Sequence, residues 1–408
     1  MKKFLVAMDS FKGCMTSAEA GHAVSEGIKS AIPDADISAF TVADGGEGMM
    51  EALTNACNGT FEEVRVTGPL DDSVNARYGI YIKSDGSKCA IIEMASAAGL
   101  TLVPKDKRNP LVTTTYGVGE MISDAYKKGC RSFIIGSGGS ATNDAGIGML
   151  GALGFIFLDK DGHEVSRGAE GVRDVYSVLE IKAGSGIKAV TPDILRKCKF
   201  TIACDVNNPL YGDDGCSMVF SLQKGATPKQ AKSMDGWIEG FARLIKKQYP
   251  NADENANGAG AAGGLGYAFK TFLDAELKSG IDIVLSETGF VKTLERIYDD
   301  ILKDEPEIIL SNELKNNVFV ITGEGKLDAQ TAMGKVPAGV AKYAKKYGAR
   351  VIALGGTVEE SAADLLKSAG IDECYAITVA GMPIETAMRK EIAMDNLKKK
   401  TSEVLSAL

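Results

Sequence analysis

The sequence predicts an α/β protein with two α/β domains: a Rossmann-like parallel-sheet domain formed by both chain ends, and an inserted second mixed α/β domain, with a cleft between them. Three observations predict this. At 408 residues the chain is longer than one ordinary domain of roughly 150 residues. Strand and helix patterns alternate at both ends, which implies parallel strands covered on both faces. Between the ends, short strand patterns near Val64, Arg77–Ile82 and Cys89–Ile92 lie close enough in sequence to pair antiparallel before αβ units resume. The expected domains are residues 1–62 with 287–408, and the inserted residues 63–286.

Phe4 to Met8 forms a short apolar run, the pattern of a buried strand, and it ends in a turn carrying Asp9, Lys12 and Gly13. A helix follows, opened by the capping-box pair Thr16 and Glu19, with an apolar face at Ala20, Ala23, Val24, Gly27 and Ile28 and a stop at Pro33. A second strand, Ile37 to Val42, runs into the glycine turn Ala43 to Gly48 and a short helix ending near Gly59, completing a βαβα opening. The last third repeats the logic. Strand Val318–Ile321 leads to a turn over Thr322–Asp328 and a helix from Pro337 to Tyr347, with Pro337 in the first turn and Gly348 at its end. Strands Val351–Leu354 and Tyr375–Thr378 alternate with two further helices. The Asn-, Ala- and Gly-rich stretch Asn251–Gly266 reads as a flexible loop, and its Gly258, Gly260 and Gly263 as a mobile lid over phosphate.

Composition removes several function classes. Nearly half the residues are apolar and a quarter charged, as in ordinary globular proteins. The net charge of −8 and the lack of a basic stripe argue against a nucleic-acid partner. Eight scattered cysteines without a C-x-x-C pair suggest neither a zinc knuckle nor a disulfide framework, so a reducing, cytoplasmic setting is expected. The apolar run after Lys2 and Lys3 is too short for a signal-peptide core, and nothing approaches the ~20 apolar residues of a membrane span. A homodimer is compatible with the sequence, which does not itself fix the assembly state.

In open α/β sheets ligands lie outside the carboxyl ends of the strands, so polar turns after strands are the candidate sites. There are five: Asp9-Ser10-Phe11-Lys12-Gly13, Asp44-Gly45-Gly46-Glu47-Gly48, the run GSGGSATNDAGIGML from Gly136, Asp205-Val206-Asn207-Asn208, and TGEGKLDAQT from Thr322. One such turn alone is also how ordinary turns are built. The run from Gly136 is the sharpest, because its glycines allow close backbone approach and a helix start can bind phosphate. Asn143 and Asp144 suit either helix capping or phosphate and metal contacts. Thr113-Thr114-Thr115 reads as a cap, and Lys335, at a helix start where a cation opposes the dipole, as a phosphate ligand or a solvated lysine.

Gly136, Gly138 and Ala141 also satisfy G-x-G-x-x-A, with Asp159 after the next strand, so an NAD-dependent dehydrogenase of a small hydroxy acid competes. Carboxylates in several other turns favour phosphoryl transfer, which uses them for Mg²⁺ and for a base. A non-catalytic nucleotide or metabolite binder is the third alternative. The G-x-x-x-x-G-K-[ST] loop and the protein-kinase signatures are absent. With His22 inside a helix and His163 in a turn, histidine metal sites and Ser-His-Asp catalysis lack support.

Taken in order, DSFKG from Asp9, ADGGEG from Ala43, IEMASAAGL from Ile92, TTTYGVGE from Thr113, the run from Gly136, CDVNNPL from Cys204, GAGAAGGLGYA from Gly258 and GEGKLDAQT-AMGKVPAGVA from Gly323 resemble the type 1 glycerate kinase family over essentially the whole chain. The resemblance implies two α/β domains around a cleft, ATP with Mg²⁺ as donor, and D-glycerate as acceptor, commonly giving 2-phosphoglycerate. Two positions depart from the family pattern: Lys326 stands where many relatives have Arg, a point charge in place of a bidentate fork, and Ser96 stands where an acid is frequent. On this reading Asp205 or Asp44 is the base, and Lys12, Lys326 and Lys335 neutralise substrate and phosphoryl charge. Glu47, Asp144, Glu324 and Asp328, with Asp44, are the metal candidates. Asp9, Ser10, Gly45, Gly46, Gly136, Gly138, Gly139, Ser140 and Asn143 are the remaining substrate and phosphate contacts.

Overall fold

The computed structural model describes residues 2–11, 13–43, 48–184, 190–304 and 317–407. They form two compact units, one of residues 1–44 and 281–408, the other of residues 45–280.

In the first unit β1 (Lys3–Met8) lies between β2 (Asp36–Thr41) and β11 (Val318–Leu327), and β12 (Arg350–Val358) and β13 (Glu373–Ala376) extend the sheet in the order β13-β12-β11-β1-β2, all parallel. Phe4 to Met8 are fully buried, as a strand covered on both faces requires. The helix Ser17–Ala31 opens with the expected reciprocal cap: the Glu19 N–H donates to Thr16 Oγ1 at 3.3 Å, and the Thr16 N–H to Glu19 Oε2 at 2.9 Å. It packs against the last helix, Lys390–Ser406, so closely that a Cβ on Gly27 would stand 2.5 Å from the Lys398 carbonyl oxygen. The turn expected over Thr322–Asp328 is instead the end of β11, which stays paired with β12 as far as Leu327 and Val358.

In the second unit β3 (Thr60–Thr67), β4 (Ser73–Ile82) and β5 (Lys88–Glu93) are antiparallel neighbours, as their spacing predicts. β5 then runs parallel to β6 (Cys130–Gly136), β6 to β9 (Lys199–Ala203), and β9 to β10 (Glu276–Lys278). β7 (Phe155–Leu158) and β8 (Ser177–Glu180) form a separate antiparallel pair. Phe133 and Phe200 stack at 4.8 Å between centroids in the main core.

Two expectations need correction on packing grounds. The domain boundaries expected at 62/63 and 286/287 fall inside β3 and inside the helix Gly280–Glu287; β3 pairs along its length with β4, so the second unit starts earlier. The glycine-rich half of the stretch read as a flexible loop is core: Gly258 to Gly266 are buried and run into the helix Ala261–Leu273, whereas Asn251, Asp253, Asn255 and Asn257 are exposed. Its glycines serve close approach. Gly263 has φ +71°, and a Cβ there would lie 2.2 Å from the Thr142 carbonyl oxygen. The segment is thus wedged under the 142–145 loop and cannot act as a lid.

Candidate active site

Parallel strands deliver their carboxyl ends to one edge. In the first unit Met8 of β1 lies opposite Gly323 of β11, so Asp9, just past the end of β1, and Glu324, inside β11, stand at one level. The Asp9 N–H donates to the Gly323 carbonyl at 2.8 Å. Both side chains are nearly buried, Asp9 6% and Glu324 8% exposed. With Ser10, Lys326 and Lys335 they line a cavity of about 380 Å³ whose other side is apolar, including Ile377, Ile384 and Met388.

Glu324 Oε1 accepts from the Thr331 hydroxyl at 2.6 Å, and Oε2 lies 3.6 Å from Lys335 Nζ. Burial pushes the Glu324 carboxyl above its usual range, against the pull of Thr331 and Lys335. Lys335 is also 4.0 Å from Asp328, while Lys326 lies 3.6 Å from Asp328 and 3.1 Å from Glu359. On Asp328 burial acts upward, but Lys335, the Thr331 and Gln330 N–H groups and Lys326 outweigh it, and the carboxyl sits below its usual range. The anions beside Lys335 that offset the helix dipole are therefore these carboxylates.

In the second unit the equivalent edge lies at the ends of β6 and β9. Gly136 is the buried last residue of β6, and the Ser137 hydroxyl donates to the Ala203 carbonyl of β9 at 2.8 Å. Beyond it Gly138, Gly139 and Ser140 line a second cavity of about 380 Å³ together with Asp205 and Lys224. Asp205 is exposed and its Oδ1 accepts from the Gly280 N–H at 2.9 Å. Lys224 is 3% exposed and donates to Ser140 Oγ at 2.8 Å and to the Thr142 carbonyl at 2.7 Å. Burial pulls its ammonium down to about 8, with Cys216 and Asp144 acting the other way.

The glycerate kinase family model matches residues 4–305 and 306–408. The chain belongs to the glycerate kinase family. It is 40% identical over 406 residues to a glycerate kinase of Bacillus subtilis, covering 100% of this chain and 97% of that one. It is 39% identical over 406 residues to the glycerate 2-kinase of Escherichia coli, covering 100% and 98%. A crystal structure of a putative glycerate kinase 2 from Salmonella typhimurium LT2 superposes with a TM-score of 0.80 at 36% identity, covering 100% of this chain and 98% of that one. Membership of the family makes this α/β chain a kinase enzyme.

Within this kinase the predicted residues divide into four sets. Asp9, Ser10, Glu324, Lys326, Asp328 and Lys335 are brought together in the first unit, and Gly136, Gly138, Gly139, Ser140 and Asp205 in the second. Lys12, Asp44, Gly45, Gly46 and Glu47 lie outside the described residues.

Asn143 and Asp144 belong to the core. Both are fully buried; Asn143 Nδ2 donates to Ser217 Oγ at 2.8 Å. Asp144 Oδ2 accepts from the Thr115 N–H at 2.9 Å and hydroxyl at 2.8 Å, and Oδ1 from the Gly146 N–H at 3.1 Å. Asp144 therefore has no open face for a metal ion, and the expected ligand role is corrected. Thr115, expected only as a cap, is the other half of this lock.

The dinucleotide alternative fails on the same loop. A pyrophosphate fingerprint needs strand, glycine turn and helix in direct succession with a parallel strand next. Here residues 137–146 separate β6 from the helix Ile147–Ala152, and β7 belongs to the antiparallel pair. Asp159 closes a turn, accepting from the Asp161 and His163 N–H groups at 2.9 Å each. No sequence signal marked Lys224, an unremarkable lysine before a glycine with φ +99°.

Proposed function

We propose that the chain transfers the terminal phosphoryl group of ATP, with Mg²⁺, to D-glycerate, and that the product is 2-phosphoglycerate. The observation that carries the reading is the first-unit cavity, whose lining holds two nearly buried carboxylates from adjacent strands, Asp9 and Glu324, with Lys326 and Lys335 and several apolar side chains. The apolar side suits a nucleobase, and the charged side a triphosphate. The printed name of the Escherichia coli relative, glycerate 2-kinase, supports the 2-position.

Among the described residues no trio of His, Cys, Asp or Glu converges as a metal cage. Mg²⁺ is usually held by one or two carboxylates plus phosphate oxygens and water, and the hard oxygens of Asp9 and Glu324 fit that demand. When bound, Mg²⁺ supplies neutralisation of phosphate charge. Lys335 and Lys326 add two further positive charges at the same cavity, where preorganised charge acts on the charge that develops in the transition state. Asp205, an exposed carboxylate that lines the cavity with Gly138, Gly139 and Ser140, is the base proposed to take the acceptor's hydroxyl proton, an effect on the order of 10²–10⁴-fold.

One assay tests the reading. The protein is incubated with MgATP and D-glycerate, ADP release is followed, and the product is passed to enolase, which consumes only the 2-phosphate. ADP release with enolase turnover is expected. Glycerate-independent ADP release, or none, would refute the proposal, and a product that enolase ignores would refute the 2-position. Near-normal turnover in both Asp205→Asn and Asp44→Asn would remove both candidate bases.

A further inference from the structure

Lys224 is a buried cation of the second unit that makes no ion pair among the described residues. The ammonium is buried, and its two recorded acceptors, Ser140 Oγ and the Thr142 carbonyl, are neutral. Among the described residues no carboxylate lies within ion-pair distance of it. A buried ammonium is normally paired, because desolvation otherwise costs several kcal/mol. An ammonium also has three donors, so one remains after these two bonds. The side chain lines the cavity at the ends of β6 and β9 beside Gly138 and Gly139. The N–H groups of Gly138, Gly139 and Ser140 have no protein acceptor among the described residues, and Gly139 adopts φ +71°. Successive free N–H groups around a left-handed glycine form a concave anion site. The cation and the glycine turn thus line one small cavity, shared with Asp205 and with the apolar Leu100, Val206 and Phe220.

We propose that Lys224 and the backbone of Gly138–Ser140 bind the carboxylate of the acid substrate, making Lys224 the residue that selects a hydroxy acid over its uncharged analogues. This rests on the kinase reading above and identifies which part of the acceptor the second unit holds. A carboxylate fits better than a triphosphate, because the cavity is lined by one ammonium rather than several cations. Asp205 lines the same cavity.

The test compares wild type with Lys224→Met in the full chain. D-glycerate and its neutral amide, D-glyceramide, are titrated calorimetrically without nucleotide, and KM values for glycerate and ATP are measured separately. Wild type should prefer the acid over the amide by at least about 30-fold, and the variant should lose that preference, raising the glycerate Kd and KM by a similar factor with the ATP KM within about threefold. An unchanged acid preference in the variant would overturn the proposal, as would a raised ATP KM with unchanged glycerate binding, which would place a nucleotide phosphate at Lys224. If Lys224→Met does not fold, Lys224→Gln, which can still donate to Ser140 and Thr142, carries the same comparison. Acid-selective binding by a wild type that never releases ADP would leave this inference standing and sink the kinase reading; turnover with a variant of normal glycerate KM would do the reverse.

Discussion

Replacing Asp144 by Asn separates a structural carboxylate from a metal ligand. The wild-type group accepts from the Thr115 N–H and hydroxyl on Oδ2 and from the Gly146 N–H on Oδ1, with Gly148 N–H adding to the set. Thr115 Oγ1 in turn accepts from the Met149 N–H at 2.9 Å, which fixes its proton toward Asp144. Every neighbour is a donor, and an amide can present an acceptor on one side only. Its best orientation keeps the oxygen at Thr115 and sets an NH₂ against the Gly146 N–H. One buried donor on each side of that contact is then unsatisfied, at about 1–3 kcal/mol each, giving roughly 2–5 kcal/mol after partial relaxation. For a unit of this size about 2–4 °C is lost per kcal/mol, so the melting temperature should fall by roughly 5–15 °C, read by circular dichroism. The Mg²⁺ concentration for half-maximal rate should not move in the fraction that stays folded. A variant of wild-type melting temperature with a weakened Mg²⁺ requirement would refute the structural assignment.

Three other outcomes follow from the same reasoning. Gly27→Ala would place a Cβ 2.5 Å from the Lys398 carbonyl and 2.6 Å from Thr401 Cβ; overpacking of ~1–3 kcal/mol should exceed the ~1 kcal/mol helix-propensity gain, and a higher melting temperature would contradict the observed helix contact. Glu324→Gln should lower kcat by at least ~10²-fold, since several kcal/mol of charge stabilisation at the phosphates would be weakened, with the melting temperature within a few degrees; unaltered kcat would remove Glu324 from the machinery. Lys224, held near 8 in the folded chain against the ordinary lysine value of 10.5, binds fewer protons folded than unfolded between those values. Its contribution to stability therefore rises as pH goes from about 8 to 10.5. Urea unfolding should show Lys224→Met gaining on wild type by roughly 3 kcal/mol more at pH 7 than at pH 10.5, and a pH-independent difference would show the ammonium is not desolvated.

Much of the first unit was legible in the sequence because its signals are local. A five-residue apolar run, a capping box and strand–helix alternation each act over a few residues, and β1, the first helix and the sheet class follow from them. The end of β1 that carries Asp9 was legible for the same reason. Where the reading failed, the deciding contact was distant. Gly258–Gly266 looks like a loop by composition, yet Gly263 and Gly264 admit the backbone of residues 142–145, more than a hundred positions away. The turn drawn over Thr322–Asp328 is strand because β12 pairs with it, and glycines that suggest a turn in isolation instead permit close strand contact: a Cβ on Gly323 would lie 1.9 Å from the Leu354 carbonyl oxygen.

Asp144 and Lys224 show why residue type alone misassigns roles in such a loop. Asp144 stands in the motif that most resembles a phosphate-binding turn, while Lys224 stands in no motif, yet both are buried within the same unit. What differs is satisfaction. The carboxylate is met by at least three donors from the chain itself, so its charge is already used in holding the helix starting at Ile147 against Thr115. The ammonium is met only by two neutral acceptors and borders open space. A buried charge that the fold leaves uncompensated is a standing cost, and it is tolerated where a ligand of opposite sign removes it. In this kinase the functional charge is therefore sought where the protein's own hydrogen bonds run out, not where glycine and aspartate are densest.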